Sequence, residues 1–356
     1  MKVGIIGLPQ TGKKTLFQVL TGSELHETGG PPKPIPGVAD IVDQRFDSLV
    51  AMYQPKKETR ARIDLVLLPK MEQEAIAKGD IFRDISDVDA LCHVVRVFED
   101  DSIYHAAGSV DPLRDVEAVN AELLLHDQVF LEKRIERLEA GLKKVKNDHQ
   151  ARELDLLRRM QAQLENERPL RLMELDEEDD LLIRSYPLIT RKEMILVFNV
   201  GEDQVGDATL LEQARDLCAS GKMEAMTASA RVEAEIALLD NEEERQEFRR
   251  DLGIEQPALE VLTSLCLKAL GRVSFFTVGK DEVHQWLTRV NAPAPAAAGV
   301  IHTDLQKGFI RAEVMKFDEL IGAGSEADLK KAGKLYVQGK DYVVVDGDIL
   351  NIRFNI

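Results

Sequence analysis

The fold of this chain is decided by the stretch Gly7-Leu8-Pro9-Gln10-Thr11-Gly12-Lys13-Lys14-Thr15. It follows a short apolar run, residues 2–6, that is typical of a central parallel strand, and it leads into a helical pattern over residues 13–20. A glycine-rich turn between a strand and a helix presents backbone N–H groups and the positive end of the helix dipole to phosphate. The residues therefore predict a Walker A loop in which Lys13 reaches the phosphates. The alternative is a chance glycine-rich turn in an ordinary strand–helix unit.

The residue after Lys13 departs from the Walker A pattern. That position normally carries Ser or Thr, whose hydroxyl binds Mg²⁺, and here it is Lys14. Thr15 stands one residue later, which turns its side chain by about 100° around the helix. We therefore predict that Thr15 does not replace the missing hydroxyl. Whether the Lys14 charge partly takes the place of the metal stays open at this point.

Composition sets the broad class of the protein. The 356 residues are enough for two or three domains, and 44% hydrophobic residues provide material for real cores. The net charge of −17 argues against a protein that coats nucleic acid through bulk electrostatics, although it leaves a local basic face open. The sequence contains neither an apolar run long enough for a membrane span nor a signal-peptide pattern at its start. Three widely spaced cysteines, Cys92, Cys218 and Cys266, fit reduced core residues, so we expect a cytoplasmic protein without membrane contact.

The pattern along the chain predicts an interrupted α/β domain. Apolar runs typical of buried strands recur at residues 63–68, 90–97, 194–198 and 223–227. Between them, residues 116–167 are charged and helical in period, with a turn at 147–149. This combination predicts an antiparallel helical hairpin of coiled-coil character inserted into a nucleotide-binding sheet. The histidine of the run 90–97, His93, is interpreted as a satisfied core residue.

The end of the chain predicts a separate small α+β domain. Two strand-like runs, residues 342–345 and 349–354, flank Asp346-Gly347-Asp348, which is a strong hairpin signal. The predicted domains are a P-loop domain formed by 1–114 and 187–274, an α-helical hairpin domain over 115–186, and a C-terminal domain over 275–356.

Five stretches make the chain resemble the YchF/Obg-like ATPase family over nearly all its length. They are GLPQTGKKTLFQVLTG at 7–22, HVVRVFEDD at 93–101, HAAGSVDPLRDVEAVNAEL at 105–123, AAGVIHTDLQKGFIRAEVMKFDELI at 297–321 and GKLYVQGKDYVVVDGDILNIRFNI at 333–356. The resemblance implies a P-loop domain of the translation-factor-related class. It also implies that the last domain is a TGS domain with a β-grasp fold.

The resemblance also implies how the base is recognised. GTPases of this class carry Asn-Lys-x-Asp after a sheet strand, and the family has Asn-x-x-Glu and prefers ATP; here Asn199-Val200-Gly201-Glu202 matches the latter. Ser229-Ala230 is similar to the loop that backs the base, and an ordinary helix N-cap is the alternative for these two residues. The predicted nucleotide-binding residues are thus Gly7, Pro9, Gln10, Thr11, Gly12, Lys13, Lys14, Thr15, Asn199, Glu202, Ser229 and Ala230.

The metal and switch positions differ from those of the family. Where the family has Asp-x-x-Gly after its third strand, this chain reads Val66-Leu67-Leu68-Pro69-Lys70, and Asp64 lies out of register. The switch I segment, residues 29–36, contains no threonine. We therefore assign no catalytic residue or metal ligand. ATP or GTP is the expected cofactor, and Mg²⁺ is doubtful.

Two functions are consistent with these residues. The first is a nucleotide-binding regulatory protein that prefers ATP, contacts the ribosome or ribosomal RNA, and hydrolyses nucleotide weakly or not at all. The second is a non-hydrolysing scaffold that acts through its helical and TGS-like domains in protein or ribosome binding. The Lys14 and Leu67–Lys70 substitutions favour the second function for catalysis and say less about binding.

Overall fold

The computed structural model describes residues 1–25, 33–72, 79–105, 107–145, 147–254 and 256–355, so residues 29–32, half of the switch I segment, lie outside the described residues. The chain divides into two compact units. The first comprises Met1–Val38 and Asp64–Ala258, and the second comprises Ala39–Ile63 and Leu259–Ile356. Within the described ranges, no helix combines the length and the apolar character that crossing a bilayer requires.

The secondary-structure elements are numbered in chain order. The strands are β1 Lys2–Ile6, β2 Ile35–Asp40, β3 Lys57–Thr59, β4 Arg62–Leu67, β5 Ala90–Arg96, β6 Met194–Asn199, β7 Met223–Ala228, β8 Arg272–Thr277, β9 Glu282–Arg289, β10 Phe309–Lys316, β11 Tyr336–Gln338 and β12 Asp348–Phe354. The helices are α1 Lys13–Thr21, α2 Gln44–Tyr53, α3 Asp80–Ser86, α4 Pro112–Leu142, α5 Asp148–Glu165, α6 Glu177–Ile183, α7 Thr209–Gln213, α8 Arg215–Gly221, α9 Ala230–Ala237, α10 Glu242–Asp251, α11 Ala258–Ala269, α12 Ala294–Ile301, α13 Thr303–Lys307, α14 Phe317–Ala323 and α15 Glu326–Lys331. Short 3₁₀ helices cover Leu170–Leu172 and Glu202–Gln204.

The first unit is built on a sheet with strand order β2-β4-β1-β5-β6-β7. The last five of these strands pair in parallel. Every residue of β5 and β6 is buried, because helices cover both faces of such a sheet and the strands are apolar on both sides. The predicted strands are confirmed. Since parallel strands end at one edge, the loops after β1, β6 and β7 lie together there.

The helical insertion is the predicted hairpin. Asp111 caps α4 by accepting from the Arg114 amide at 3.2 Å, and Asn147 caps α5 by accepting from the Gln150 amide at 3.1 Å. The leucines of the two helices share one buried cluster, with members such as Leu131 and Leu157. Helix α5 begins at Asp148, so it already includes the last two residues of the turn predicted at 147–149.

One buried carboxylate anchors the insertion to the sheet. The Asp127 side chain on α4 accepts from the amides of Ile189 and Thr190, at 2.9 and 2.7 Å, and from the Thr190 hydroxyl at 2.7 Å. Ile189 and Thr190 lie just before β6. The base of the insertion is therefore fixed to the start of a central strand.

The second unit contains a mixed sheet with strand order β11-β10-β12-β8-β9-β3. Strands β8 and β9 form an antiparallel pair, and β12 runs parallel to β8 and antiparallel to β10. The small residues of α12 pack on this sheet in one cluster with Phe275 and Leu350. This is the arrangement of a β-grasp domain, as the family resemblance implied. The short β3 adds to its edge in parallel with β9.

The predicted C-terminal hairpin is wrong. Residues 342–345 form no strand, and Val343 makes only an isolated bridge to Pro293. The Asp348 carboxylate accounts for the difference: it accepts from Lys316 Nζ at 2.5 Å, the Tyr342 hydroxyl at 2.7 Å and the Val345 amide at 2.9 Å. These bonds fold the segment onto a buried side chain, and β12 pairs with β8 and β10 instead.

We expect the D348N variant to lower the free energy of unfolding of the second unit by about 2 kcal/mol, because it removes a buried charge with three donors. Urea unfolding followed by Trp286 fluorescence measures this, since Trp286 is the only tryptophan of the chain and lies in β9. The matched control is D341N at an exposed position, with an expected change of about 0.5 kcal/mol or less. Equal unfolding midpoints for the two variants would contradict the role given to Asp348.

Candidate functional site

The loop between β1 and α1 adopts a conformation that only certain residues allow. Gly7 has φ 146°, and a Cβ there would lie 2.4 Å from the Val94 carbonyl oxygen. Gly12 has φ 87°, and a Cβ there would lie 2.1 Å from Asn199 Nδ2. Between them, Gln10 also has a positive φ, 62°. Gly12 caps α1 without a side chain, so the first backbone amides of the helix point to the loop opening.

Lys13 is buried at the centre of this loop. Its Nζ donates to the carbonyl oxygens of Gly7 at 2.6 Å and Leu8 at 2.5 Å. The pKa of the Lys13 ammonium is lowered to about 7, first by burial and second by the Lys70 charge, while Glu72 opposes the shift. In this arrangement the lysine that the sequence predicts to bind phosphate is hydrogen-bonded to the loop itself.

The segment after β4 runs beside the phosphate loop. The Leu68 amide donates to the Ile5 carbonyl at 3.1 Å, and the Met71 amide donates to the Gly7 carbonyl at 3.4 Å. Lys70, between these two residues, is half-exposed and acts electrostatically on Lys13. The segment Leu67–Lys70 therefore lies next to the phosphate loop.

Asn199, the last residue of β6, links two loops at the edge of the sheet. Its side chain is buried; Nδ2 donates to the Thr11 carbonyl at 2.9 Å, and Oδ1 accepts from the Ala230 amide at 2.9 Å. One amide group therefore holds the phosphate loop against the N-terminus of α9. Both its donor and its acceptor are used by backbone groups.

The remaining base-side residues divide into two groups. Ser229 is the N-cap of α9, and its hydroxyl accepts from the Val232 amide at 3.4 Å, which is the alternative the sequence had left open. Ala230 is buried and its N–H is engaged by Asn199. Glu202 is exposed in a 3₁₀ helix three residues beyond β6. The phosphate loop, Asn199 and Ala230 thus form one cluster, whereas Glu202 is exposed and makes no hydrogen bond to that cluster among the described residues.

The residues do not fit the Mg²⁺ site of the resembled family. Lys14 is exposed where a hydroxyl ligand is needed, and Thr15 follows it around the helix. Asp64 pairs with Lys2 at the amino end of β1, and its carboxylate accepts from the N-terminal amine at 3.2 Å. It therefore lies at the edge of the sheet opposite the loop. Over the described ranges, no group of three or more His, Cys, Asp and Glu side chains is arranged to hold a metal.

His93 was missed as a neighbour of the loop. It pairs with Ile6 in the sheet and is buried, and among the described residues its Nδ1 has no hydrogen-bond partner, so the interpretation as a satisfied histidine is wrong. Burial, with the Lys13 charge as the second cause, lowers the pKa of His93 to about 3. The imidazole is thus neutral near neutral pH. His93 lies in the middle of β5, opposite Ile6 at the end of β1, and a polar side chain within this apolar run is the signal that sequence reasoning could have used.

Known proteins resemble this chain over its whole length. Residues 273–355 match the family YchF-GTPase_C, described as a protein of unknown function (DUF933). The chain is 37% identical to the ribosome-binding ATPase YchF of Bacillus subtilis, with 100% of both chains covered. It is 36% identical to Obg-like ATPase 1 of Caenorhabditis elegans, covering 100% of this chain and 92% of that protein. The solved structure of the Schizosaccharomyces pombe YchF GTPase is 29% identical, with a TM-score of 0.81 and coverage of 99% of this chain and 97% of its own.

We expect anion binding at the loop to weaken as the pH rises through the pKa of Lys13, about 7. The ammonium form prevails below this pH and binds anions, and the neutral amine above it does not. Sulfate stays a dianion over the range from about pH 6 to about pH 9, so its affinity should fall by up to about tenfold per pH unit above 7. Calorimetric titration with sulfate at constant ionic strength measures this slope.

The control for this titration is the K13M variant, which should bind sulfate weakly and without a pH slope. His93 does not interfere because its pKa, about 3, lies below the range. A sulfate affinity that is constant over the whole range would show that Lys13 keeps its charge or does not bind the anion.

Proposed function

The chain belongs to the family of YchF and Obg-like ATPases, and from this premise we propose that it is a regulatory protein that binds ATP in preference to GTP. In this proposal it acts with the ribosome in the cytoplasm and hydrolyses nucleotide weakly. The names of the relatives in B. subtilis and C. elegans, ribosome-binding ATPase and Obg-like ATPase, support the nucleotide and the ribosome as partners.

The observation that carries nucleotide binding is the Asn199 bridge. Its bonds to Thr11 and Ala230, both 2.9 Å, hold the phosphate loop and the base-side loop in one rigid edge. Together with the left-handed Gly12 and the buried Lys13, this is a preformed cradle for a polyphosphate. A loop that no longer binds a ligand would not require a buried side-chain amide that bonds to two backbone groups.

The preference for ATP rests on Glu202. An Asp at this position accepts hydrogen bonds from the guanine edge in GTPases, and Glu202 places its carboxylate one methylene further from the backbone. Without the pair of Asp acceptors that bonds to the guanine edge, binding of adenine leaves no such acceptors unpaired and is no longer disfavoured. Glu202 is exposed and therefore available to a ligand at this edge.

Weak hydrolysis follows from the metal side of the site. Phosphoryl transfer depends on Mg²⁺ to neutralise charge and position the phosphates. Here lysines occupy both regions that supply metal contacts in the family: Lys14 after the loop lysine, and Lys70 in the segment beside the loop. These cations neutralise phosphate charge in the ground state and do not position an attacking water. The proposal is therefore a metal-independent binding site with slow turnover.

The scaffold alternative is favoured by one specific observation. Lys13 donates to two carbonyl oxygens of its own loop, and its lowered pKa weakens it as a cation. If nucleotide cannot displace these bonds, the first unit only supports the helical insertion and the β-grasp domain. In that case ribosome binding does not depend on nucleotide.

The first test is calorimetric titration with ATP and with GTP, with and without Mg²⁺, followed by single-turnover hydrolysis. We expect ATP to bind at least about tenfold more tightly than GTP, since loss of a guanine-specific acceptor pair is worth about 1.4 kcal/mol or more. We expect single-turnover hydrolysis to be slow whether or not Mg²⁺ is present.

The K13M variant is the control in the same titrations and in ribosome sedimentation. Loss of ATP binding together with loss of nucleotide-sensitive sedimentation supports the regulatory function. Sedimentation of K13M that equals wild type, combined with no ATP binding by wild type at millimolar concentration, supports the scaffold. A preference for GTP, or rapid Mg²⁺-dependent turnover, would falsify the proposal.

The lysine replacements make a separate prediction. We expect the K14S and K70A variants each to lower metal-free ATP affinity by about tenfold, the worth of one charge-assisted hydrogen bond. The control is K56A, at a lysine whose side chain is 80% exposed in the second unit. Unchanged affinity in K14S and K70A, or ATP binding by wild type that strictly requires Mg²⁺, contradicts this assignment.

A further inference from the structure

A cavity lies in the first unit at the end of the central strands that is opposite the predicted nucleotide-binding edge. Its volume is about 360 Å³. Met223 begins β7 and lines this cavity, whereas the same strand ends at Ala228 beside the nucleotide edge. A strand of six residues separates the two sites by roughly 17 Å. The lining residues are Asn120, Leu123, Leu124, Glu167, Arg168, Pro169, Arg171, Thr190, Leu217, Ser220, Gly221 and Met223.

Arg171 is the chemical centre of this cavity. Its side chain is buried, with the residue only 8% exposed, and its Nε donates to the Gly221 carbonyl at 2.5 Å. Among the described residues, neither terminal nitrogen of the guanidinium has a hydrogen-bond partner, and no carboxylate lies within 4.0 Å. Four of the five guanidinium N–H donors are therefore left without a protein acceptor.

The Arg171 side chain keeps its charge despite its burial. Desolvation lowers the pKa of the guanidinium to about 10, and Glu193 is the carboxylate that partly opposes this. The terminal nitrogens of Arg171 face the cavity that they line, so the acceptor for their N–H groups has to come from there and not from the protein. A purely structural cap for the end of α8 would need only the Nε bond to Gly221, so the fold does not account for the rest of the group.

The walls around Arg171 combine charge, polar groups and apolar surface. Arg168, which is exposed, adds a second positive charge, and Glu167 adds a negative one. Formally the lining is positive by one charge, although the whole chain carries −17. Leucines and Met223 form the apolar part of the wall. The volume is within the range of small-molecule sites.

We infer that this cavity binds a small organic anion, a carboxylate or phosphate ester joined to an apolar group, with Arg171 clamping the anionic head. The two terminal nitrogens of a guanidinium match two oxygens of a carboxylate or phosphate in a bidentate pair. The apolar body of the ligand contacts Leu123, Leu217 and Met223. This site is separate from the phosphate loop and does not depend on nucleotide binding there.

The test uses benzoate as the anionic probe and benzamide as its neutral counterpart. Protein labelled with ¹³C in the methionine methyl groups is titrated, and the Met223 signal, identified with the M223L variant, reports occupancy. We expect benzoate to shift this signal saturably and benzamide to bind at least about tenfold more weakly. A parallel titration with phenyl phosphate decides between the carboxylate and the phosphate head.

Variants at the two arginines complete the test. R171K keeps the charge but loses the planar fork, so benzoate should bind about tenfold more weakly than to wild type. The matched control is R137K, at an exposed arginine of α4, which should leave the affinity unchanged. If R171K does not fold, R168A takes its place, since Arg168 is exposed and its loss should weaken benzoate binding without unfolding the unit. A silent Met223 signal, equal binding of benzoate and benzamide, or unchanged affinity in both arginine variants overturns the inference.

Discussion

The buried side-chain amide of Asn199 donates to Thr11 and accepts from Ala230, and the nucleotide-binding edge is organised around these two bonds. From the end of β6 they connect the loop after β1 with the start of the helix after β7, and in the sheet β5 lies between β1 and β6. The same amide sets how closely the loop can approach, because a Cβ on Gly12 would lie 2.1 Å from its Nδ2. Gly12 and Asn199 therefore constrain each other, and neither can change alone without opening the edge.

At this edge, the charged side chains differ more from those of an ordinary Walker A site than the backbone conformation of the loop does. A phosphate loop normally works with a divalent cation that oxygen ligands hold. In this chain the side chains in the two relevant regions are themselves cations, and Lys70 already lowers the pKa of Lys13. Repulsion among lysines disfavours their charged forms in the absence of ligand, and an anion relieves it. In the proposed site, bound phosphate neutralises the positive charges of the lysines, and no metal ion is needed to neutralise the phosphate.

Local patterns in the sequence predicted the elements whose structure is locally determined. The strand Lys2–Ile6, its loop and α1 follow from apolar patterning and glycine placement, and β6 follows from a continuous apolar run. The segment 342–345 has the same strand-like composition but is folded by Asp348, which also bonds to Lys316 far away in the chain. No local pattern reveals such a partner. The pairing of β3 with β9 was hidden for the same reason.

The sequence could not predict which buried polar side chains have hydrogen-bond partners. His93 reads as a core residue by its apolar surroundings, and only the fold shows that its Nδ1 has no partner among the described residues. Arg171 reads as one of many arginines in a charged helical region, and only the fold shows that it is buried against Gly221. Burial and partner are properties of the assembled unit, whereas residue type and spacing are properties of the chain.

Strand β6 connects the Arg171 cavity and the helical insertion at one end with the phosphate loop at the other. Just before its start, the Thr190 carbonyl accepts a hydrogen bond from the Arg171 amide, and the Thr190 amide donates to Asp127 of the insertion. At its end, the Asn199 side chain donates to the phosphate loop. Every residue of the strand between them is buried, so the strand is a closely packed link between the two edges of the sheet. A ligand in the Arg171 cavity couples to nucleotide only if it binds two arrangements of this strand with different affinity. The insertion, which is fastened to the same end, is the element whose position such a difference would change.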